Sequence, residues 1–214
     1  MKTLAIIAQK GGSGKTTLAV HLAVCATRHK LKTALIDLDP QASAYQWNES
    51  REDGRKLDAV RGNSSDLAAL LKQAKDGGVD LVIIDTAPHS DSAAAIAAQL
   101  ADFVLIPCRP ARFDLDAIAT TAQIAKVTKT PTVVVLNAAP RGKLAEEARD
   151  ALQGQNLTVM ATVLYQRAAY SHAVIDGRSV HEYEPDGKAA AEIDDLYNHI
   201  TKLYGNNKSQ GKKS

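Results

Sequence analysis

Short apolar runs rich in β-branched residues recur along the chain, and they constrain its fold more than any other feature. Nearly every residue in them is apolar, a pattern typical of strands buried on both faces of a parallel sheet. The runs cover residues 3–8, 33–39, 80–86, 103–108, 132–137 and 158–164. Alanine-rich helical patterns lie between them, as at 16–28, 65–75, 91–100 and 114–126. We therefore predict an α/β fold with a doubly wound, mostly parallel sheet and helices on both faces.

The 214 residues predict a single domain over 1–204, followed by a basic, flexible tail over 205–214 that contains Lys208, Lys212 and Lys213. The polar stretch 48–62 is predicted to be a surface excursion, apart from a possible short strand at 57–61. The last helix is predicted over 189–203, where apolar residues share one face.

The termini and the apolar content favour a cytoplasmic protein. The first apolar run is too short for a signal peptide, and no segment approaches the roughly 20 apolar residues that span a bilayer. The formal net charge of +2 does not by itself indicate a polyanionic partner. The two cysteines, Cys25 and Cys108, form no metal-binding pair and are predicted to be small buried hydrophobes.

The first strand leads into the motif KGGSGKTT at residues 10–17, a variant of the phosphate-binding loop in which Ala8 replaces the first glycine. Glycines let backbone N–H groups surround phosphate oxygens at the start of a helix. We expect Lys15 to reach the β- and γ-phosphates and the Thr16 hydroxyl to bind Mg²⁺. The predicted nucleotide-binding residues are Gly11, Gly12, Ser13, Gly14, Lys15, Thr16 and Thr17.

Acidic residues follow two further strands, in the motifs LIDLDPQ and VIIDTAP. Asp37 and Asp39 are two residues apart, so both point to the same side of their strand. Asp85 ends an apolar run, as the acidic residue of a magnesium-nucleotide site does. We predict that Asp37 and Asp85 serve the metal ion and that Asp39 orients the attacking water.

Together, in this order, the three motifs resemble those of the ParA/MinD family of deviant Walker P-loop ATPases. The similarity continues through residues 104–107, 134–137, 167–178 and 183–185, nearly to the end of the chain. The resemblance implies ATP and Mg²⁺ as cofactors and slow, partner-stimulated hydrolysis. It also implies an ATP-sandwich homodimer in which Lys10 reaches the phosphates held by the second copy. A cation supplied in this way stabilises the charge of the transferring phosphoryl group. The alternative for Lys10 is a solvated lysine at a strand end.

Two further residues have open assignments. Asn137 matches the position at which the resemblance implies a contact with the adenine base, but it could instead cap the turn before Pro140. Other adenine contacts are expected between residues 165 and 176. Asp114 is either the N-cap of its helix, the assignment that we favour, or a sensor of the nucleotide state at the dimer interface.

The resemblance also helps to identify which subclass of the family the chain is most similar to. The first strand begins at residue 3, which leaves no space for the DNA-binding extension of longer ParA proteins. The residues after 204 lack the large hydrophobes of a membrane-binding helix. We therefore expect a short ParA type that associates with the nucleoid and whose ATP-bound dimer binds DNA non-specifically. The candidate DNA-contacting residues are Arg141, Arg167, Arg178 and Lys188, with Arg167 and Arg178 preferred.

The leading hypothesis is plasmid or chromosome partition with a ParB-like, centromere-binding partner. The alternative is the same ATPase positioning a protein cargo, such as a chemoreceptor cluster or a carboxysome. An ATP-dependent synthetase of the same superfamily is less favoured, because the sequence offers no separate set of catalytic groups. A reductase with an iron–sulfur cluster shared between subunits is excluded, because the cysteines are not placed for one.

Overall fold

The computed structural model describes residues 1–207, apart from the side chains of Phe113, Asp116, Ala125 and residues 204–207. Its centre is a parallel sheet with the strands β1 (Lys2–Ile6), β2 (Thr33–Asp37), β3 (Asp58–Arg61), β4 (Leu81–Asp85), β5 (Phe103–Cys108), β6 (Thr132–Ala139) and β7 (Val159–Tyr165). The helices are α1 (Lys15–Arg28), α2 (Ser43–Glu49), α3 (Leu67–Asp76), α4 (Asp91–Leu100), α5 (Arg112–Thr128), α6 (Leu144–Gly154), α7 (Ala168–Ile175), α8 (Val180–Tyr183) and α9 (Lys188–Asn207).

The strands alternate their side chains between two hydrophobic clusters, one on each face of the sheet. In β1, Leu4 and Ile6 join a cluster with residues of α1, α2, α8 and α9. The intervening Ala5 joins a second cluster with residues of α3, α4, α5 and α6. Because side chains alternate along a strand, an all-apolar strand buries both of its faces. The prediction of a doubly wound sheet with helices on both faces is confirmed.

The strand order β3-β2-β4-β1-β5-β6-β7 determines where a ligand binds. Every strand pairing is parallel, so the carboxyl ends of the strands meet at one edge. Strand β1 lies between β4 and β5. The connection after β1 runs to β2 on one side of it, and the connection after the neighbouring β4 crosses to β5 on the other side. The loop after β1 therefore leaves the sheet at its topological switch point, where doubly wound folds bind ligands.

The segment 48–62 contains the short strand predicted at 57–61, which is the edge strand β3 and pairs with β2. It differs from its prediction at its start, where its first two residues belong to helix α2, which the sequence pattern did not indicate. Asn48 and Arg51 are buried, and the Asn48 amide bonds both the N–H and the C=O of Leu57. The segment is therefore attached to the domain by buried polar contacts, which hydrophobic periodicity does not detect.

Helix α9 runs to Asn207, three residues beyond the predicted end of the domain at 204. The tail lysines Lys208, Lys212 and Lys213 lie outside the described residues. None of the helices in the described part combines the length and the apolarity that crossing a membrane requires.

Candidate functional site at the carboxyl edge of the sheet

The loop between β1 and α1 has the backbone of an anion-binding loop. Gly12 and Gly14 have φ angles of 72° and 97°, which residues with a side chain rarely adopt. A Cβ atom on Gly14 would lie 2.1 Å from Nδ2 of Asn137, and this amide donates to the carbonyl oxygen of Ser13 at 2.7 Å. The Ser13 hydroxyl is buried, with no hydrogen-bond partner among the described residues. Both the turned backbone and the unpaired hydroxyl suit a phosphate group.

Lys15 begins α1 and points into this loop. It is only 6% exposed, and its Nζ donates to the carbonyl oxygen of Lys10 at 3.4 Å. Burial lowers the pKa of Lys15, while the nearby carboxylates of Asp85 and Asp39 oppose that shift. An ammonium group has three donors, so one long hydrogen bond leaves Lys15 with donors for an anion in the loop.

Thr16 and Asp85 come together as predicted. The Thr16 hydroxyl donates to Oδ2 of Asp85 at 2.6 Å, and Asp85 is completely buried. Its other oxygen, Oδ1, makes no hydrogen bond within the described structure. Burial raises the pKa of Asp85 to about 7, opposed by the Thr16 hydrogen bond and by Lys15. A bare, buried carboxylate oxygen beside a hydroxyl fits Mg²⁺, which prefers oxygen ligands.

Asp37 and Asp39 have different surroundings at the end of β2. The two oxygens of the buried Asp37 accept the backbone N–H groups of Asp39 and Tyr45, both at 3.0 Å. Burial raises the pKa of Asp37, and these hydrogen bonds oppose the shift. Asp39 is half-buried, and its Oδ1 accepts the N–H of Gln41 at 2.9 Å. Asp37, a predicted metal residue, therefore connects the loop after β2 to the start of α2 through its hydrogen bonds. Asp39 lies nearer to solvent.

Lys10 is paired within its own chain. Its Nζ lies 2.5 Å from Oδ2 of Asp114; the Lys10 side chain is 40% exposed and that of Asp114 only 7%. The N-cap of α5 is Ala111, and no side chain caps this helix end. The favoured assignment of Asp114 as an N-cap is therefore wrong. The sequence gives no signal for this pair, because its members are 104 residues apart.

A pocket of about 430 Å³ opens beside the loop. Its lining includes Gly12, Thr17, Asn137 and Arg109, together with Tyr165, Gln166, Arg167, Tyr170, Ser171, Val174 and Ile175. The Nδ2 of Asn137 donates to the phosphate loop, and no hydrogen bond from its side chain to the turn before Pro140 is found among the described residues. The position suits a base attached to phosphates in the loop. The sequence analysis did not predict Arg109 as a residue of this pocket, although its position directly after β5 could have suggested it.

Two of the four candidate DNA-contacting cations already have an acidic partner among the described residues. Arg167 donates to Glu192 from Nε at 2.8 Å, and Arg178 pairs with Asp176. Arg141 and Lys188 are exposed, and no ion pair of either is found among the described side chains. The loops after β6 and β7 are adjacent, because the N–H of Gln166 donates to the carbonyl oxygen of Ala139 at 2.8 Å. The preferred pair of the sequence prediction is thus the pair already engaged within the chain.

Comparison with known proteins places this site in context. A family model described as the CobQ/CobB/MinD/ParA nucleotide binding domain matches residues 4–180. The chain is 31% identical over 210 residues to the maintenance of carboxysome distribution protein A of Halothiobacillus neapolitanus, covering 92% of this chain and 95% of the relative. It is 32% identical over 197 residues to the protein of the same name from Gloeobacter kilaueensis, covering 90% of each. Protein ParA of Rhizobium radiobacter is 25% identical over 206 residues, covering 91% of this chain and 92% of the relative.

Solved structures show the same fold at low identity. The apo structure of McdA from Cyanothece has a TM-score of 0.78 at 18% identity and covers 94% of this chain and 99% of that one. MinD from Pyrococcus horikoshii, solved as a complex with Mg-ADP, has a TM-score of 0.76 at 16% identity, covering 95% and 97%. These similarities confirm the α/β P-loop fold.

Proposed function

The chain belongs to the CobQ/CobB/MinD/ParA nucleotide-binding family, and from that premise we propose that it is a positioning ATPase. ATP closes two copies into a dimer, the dimer holds DNA non-specifically, and hydrolysis separates the copies again. The observation that carries the proposal is the bare Oδ1 of Asp85 beside Thr16 and Lys15, with Lys10 at the entrance of the same loop.

Different groups at the site bind the phosphates, the metal ion and the base. The backbone N–H groups of residues 11–17 and the ammonium of Lys15 hold the phosphates, and Thr16 and Asp85 hold the metal ion. Bound Mg²⁺ neutralises charge on the phosphate oxygens. Asp39, at the end of β2 and half-exposed, accepts a hydrogen bond from the attacking water and orients it. Asn137 and the pocket beside it receive the base.

The proposed dimer depends on Lys10. The Lys10 side chain is 40% exposed and is held by a single carboxylate, so it can reach a second anion, and leaving the buried Asp114 is the cost that the new partner must offset. A triphosphate in the second copy offers Lys10 more negative charge than Asp114 does. ATP bound in one copy thus attracts Lys10 of the other, and its hydrolysis weakens that attraction. DNA binding by the dimer then uses the unpaired Arg141 and Lys188, which dimerisation doubles in number.

We place a protein assembly first as the cargo, because two relatives that are 31% and 32% identical over at least 90% of this chain are both named for carboxysome distribution. Partition of a plasmid or chromosome through a ParB-like partner is the second candidate, supported by the relative named ParA at 25% identity. The two are distinguished by deleting the gene in its own host. Scattered or clumped protein assemblies with normal plasmid retention support the first, and plasmid or chromosome loss supports the second.

The dimer proposal is tested with Lys10→Ala and Lys15→Ala, and with Lys72→Ala on the exposed face of α3 as the matched control. Lys15→Ala is expected to weaken ATP binding by 100-fold or more, because Lys15 holds the phosphates. Lys10→Ala is expected to keep ATP binding within a fewfold of the unmodified chain but to show no ATP-dependent dimer in sedimentation and a lower rate of ATP hydrolysis. A Lys10→Ala chain that dimerises and hydrolyses ATP like the control would refute the proposal.

A further inference from the structure

The far end of α1 carries a cysteine and a histidine one turn apart. Cys25 is fully buried, and His29, the C-cap residue, is exposed. This i, i+4 spacing places both side chains on one face of the helix. Helix α9 packs there and brings Asp194, whose Oδ1 accepts the Cys25 thiol at 3.3 Å. One ligand atom from each of Cys25, His29 and Asp194 lies within 4.8 Å of the other two.

Neighbouring side chains fix the orientation of these groups. The Nε2 of His181 lies 2.8 Å from the same Oδ1 of Asp194 and donates to it, because an ionised carboxylate only accepts. Both described hydrogen bonds end on Oδ1, so Oδ2 is available to an ion. The His29 ring stacks on Tyr197, with centroids 4.6 Å apart and planes 17° apart. Hydrogen bonds and packing that orient ligands in this way are typical of metal sites.

We propose that Cys25, His29 and Asp194 bind one divalent ion of the zinc class, with water as the fourth ligand. Thiolate, imidazole and carboxylate are the ligands of Zn²⁺, whereas a thiolate does not suit Mg²⁺. At bond lengths of about 2.0–2.3 Å the ligand atoms of a tetrahedral ion lie about 3.5 Å apart. The cluster, whose ligand atoms now lie within 4.8 Å of one another, therefore contracts when the ion binds. Binding converts the Cys25 thiol to a thiolate and releases one proton to solvent.

The site is accessible and separate from the nucleotide site. The exposed His29 and the Asp194 side chain, 43% exposed, open it to solvent, and Cys25 forms its floor. Burial raises the pKa of the Cys25 thiol, so the free site keeps its proton until an ion replaces it. Thr16 and Cys25 are separated by about 14 Å along the helix axis, at 1.5 Å per residue. The inference does not depend on the proposed positioning function.

The experiment uses Co²⁺ as the probe, added to the full chain after chelation and without nucleotide. A cobalt–thiolate bond produces a charge-transfer absorption band in the near ultraviolet, which an oxygen site lacks. We expect this band to saturate at one equivalent of Co²⁺, to persist in excess Mg²⁺ and to disappear on addition of Zn²⁺. Cys25→Ser is expected to lose the band, and His29→Gln, at an exposed position that does not threaten folding, to weaken Co²⁺ binding at least tenfold.

Cys108→Ser is the matched control, since Cys108 is the other buried cysteine, and it is expected to leave the titration unchanged. No charge-transfer band in the unmodified chain would overturn the proposal. A band that survives in His29→Gln with unchanged affinity, or that is lost in Cys108→Ser, would overturn it as well.

Discussion

The ammonium of Lys10 and the carboxylate of Asp114 meet at 2.5 Å, so the extra lysine of the phosphate loop is held by α5 of its own chain. One end of the pair is buried and the other is half-exposed. Lys10 therefore has two alternative anionic partners in the proposed cycle, Asp114 in the single chain and the phosphates of a second copy in the dimer.

Removing the charge of Asp114 is expected to favour the dimer. In Asp114→Asn, Lys10 no longer has a charged partner in its own chain, and even an exposed pair of about 1 kcal/mol corresponds to about a fivefold change in equilibrium. Because the Asp114 carboxylate is buried, we expect the protein concentration for half-maximal ATP-dependent dimerisation to fall at least about fivefold in sedimentation. Asp150→Asn, on the exposed side of α6, removes the same charge elsewhere and should change nothing. Weaker dimerisation in Asp114→Asn would mean that Asp114 positions Lys10 for its partner.

The stability of the ligand-free chain is expected to depend on pH through Asp85. Its pKa of about 7 in the folded chain exceeds the ordinary value of 3.8, so between about pH 4 and pH 7 the folded state keeps a proton that the unfolded state loses. The free energy of unfolding therefore falls as pH rises through this window, by on the order of 4 kcal/mol. Urea unfolding across the window should show this fall in the unmodified chain and a flatter curve in Asp85→Asn. Parallel curves for the two chains would contradict the assignment.

Asp37→Ala is expected to lower the stability of the chain, and Asp39→Ala is expected to lower its rate of ATP hydrolysis. Asp37→Ala leaves two backbone N–H groups without their carboxylate and should lower the free energy of unfolding by about 3 kcal/mol. Asp39→Ala should change stability by less than about 1 kcal/mol, because Asp39 is nearer to solvent, but lower the rate of ATP hydrolysis at least 100-fold. Denaturant unfolding and phosphate release measure the two effects. An Asp39→Ala chain with normal turnover would remove Asp39 from the role of orienting water.

The affinity for DNA is expected to depend mainly on the two candidate cations without an ion pair among the described side chains. Arg141→Ala and Lys188→Ala should each weaken binding of the ATP-bound protein to random duplex DNA and make its salt dependence shallower, since each removes a phosphate contact per chain. Arg178→Ala should have a smaller effect, because Asp176 already neutralises Arg178. Fluorescence anisotropy at several salt concentrations measures the slopes. If Arg178→Ala gives the larger loss, the preference derived from the sequence was the better one.

The sequence predicted the features that depend on neighbouring residues. The six apolar runs are confirmed as strands, and each predicted end lies within two residues of the observed one. The prediction succeeds because a short, all-apolar run is typical of a strand buried on both faces of a sheet. Thr16 and Asp85 were predicted at one site because parallel strands share an edge. The contacts of Lys10, Asn137 and Asp37 could not be predicted, because each depends on which loop packs beside it in three dimensions. Arg51, whose guanidinium donates to the carbonyl oxygen of Gly177 and to Glu182, was overlooked because it stands in a polar stretch, where no hydrophobic pattern indicates burial.

Helix α9 has a consequence for how the chain is made. Its Ile193, Leu196 and Ile200 are buried in the same cluster as α1, and its Glu192 binds Arg167 and the N–H of Tyr165 beside the base pocket. A chain on the ribosome from which residues 188–207 have not yet emerged lacks this cover over one face of the sheet. The phosphate loop at residues 10–17 is synthesised well before helix α9, so its supporting core closes only after residues 188–207 have emerged.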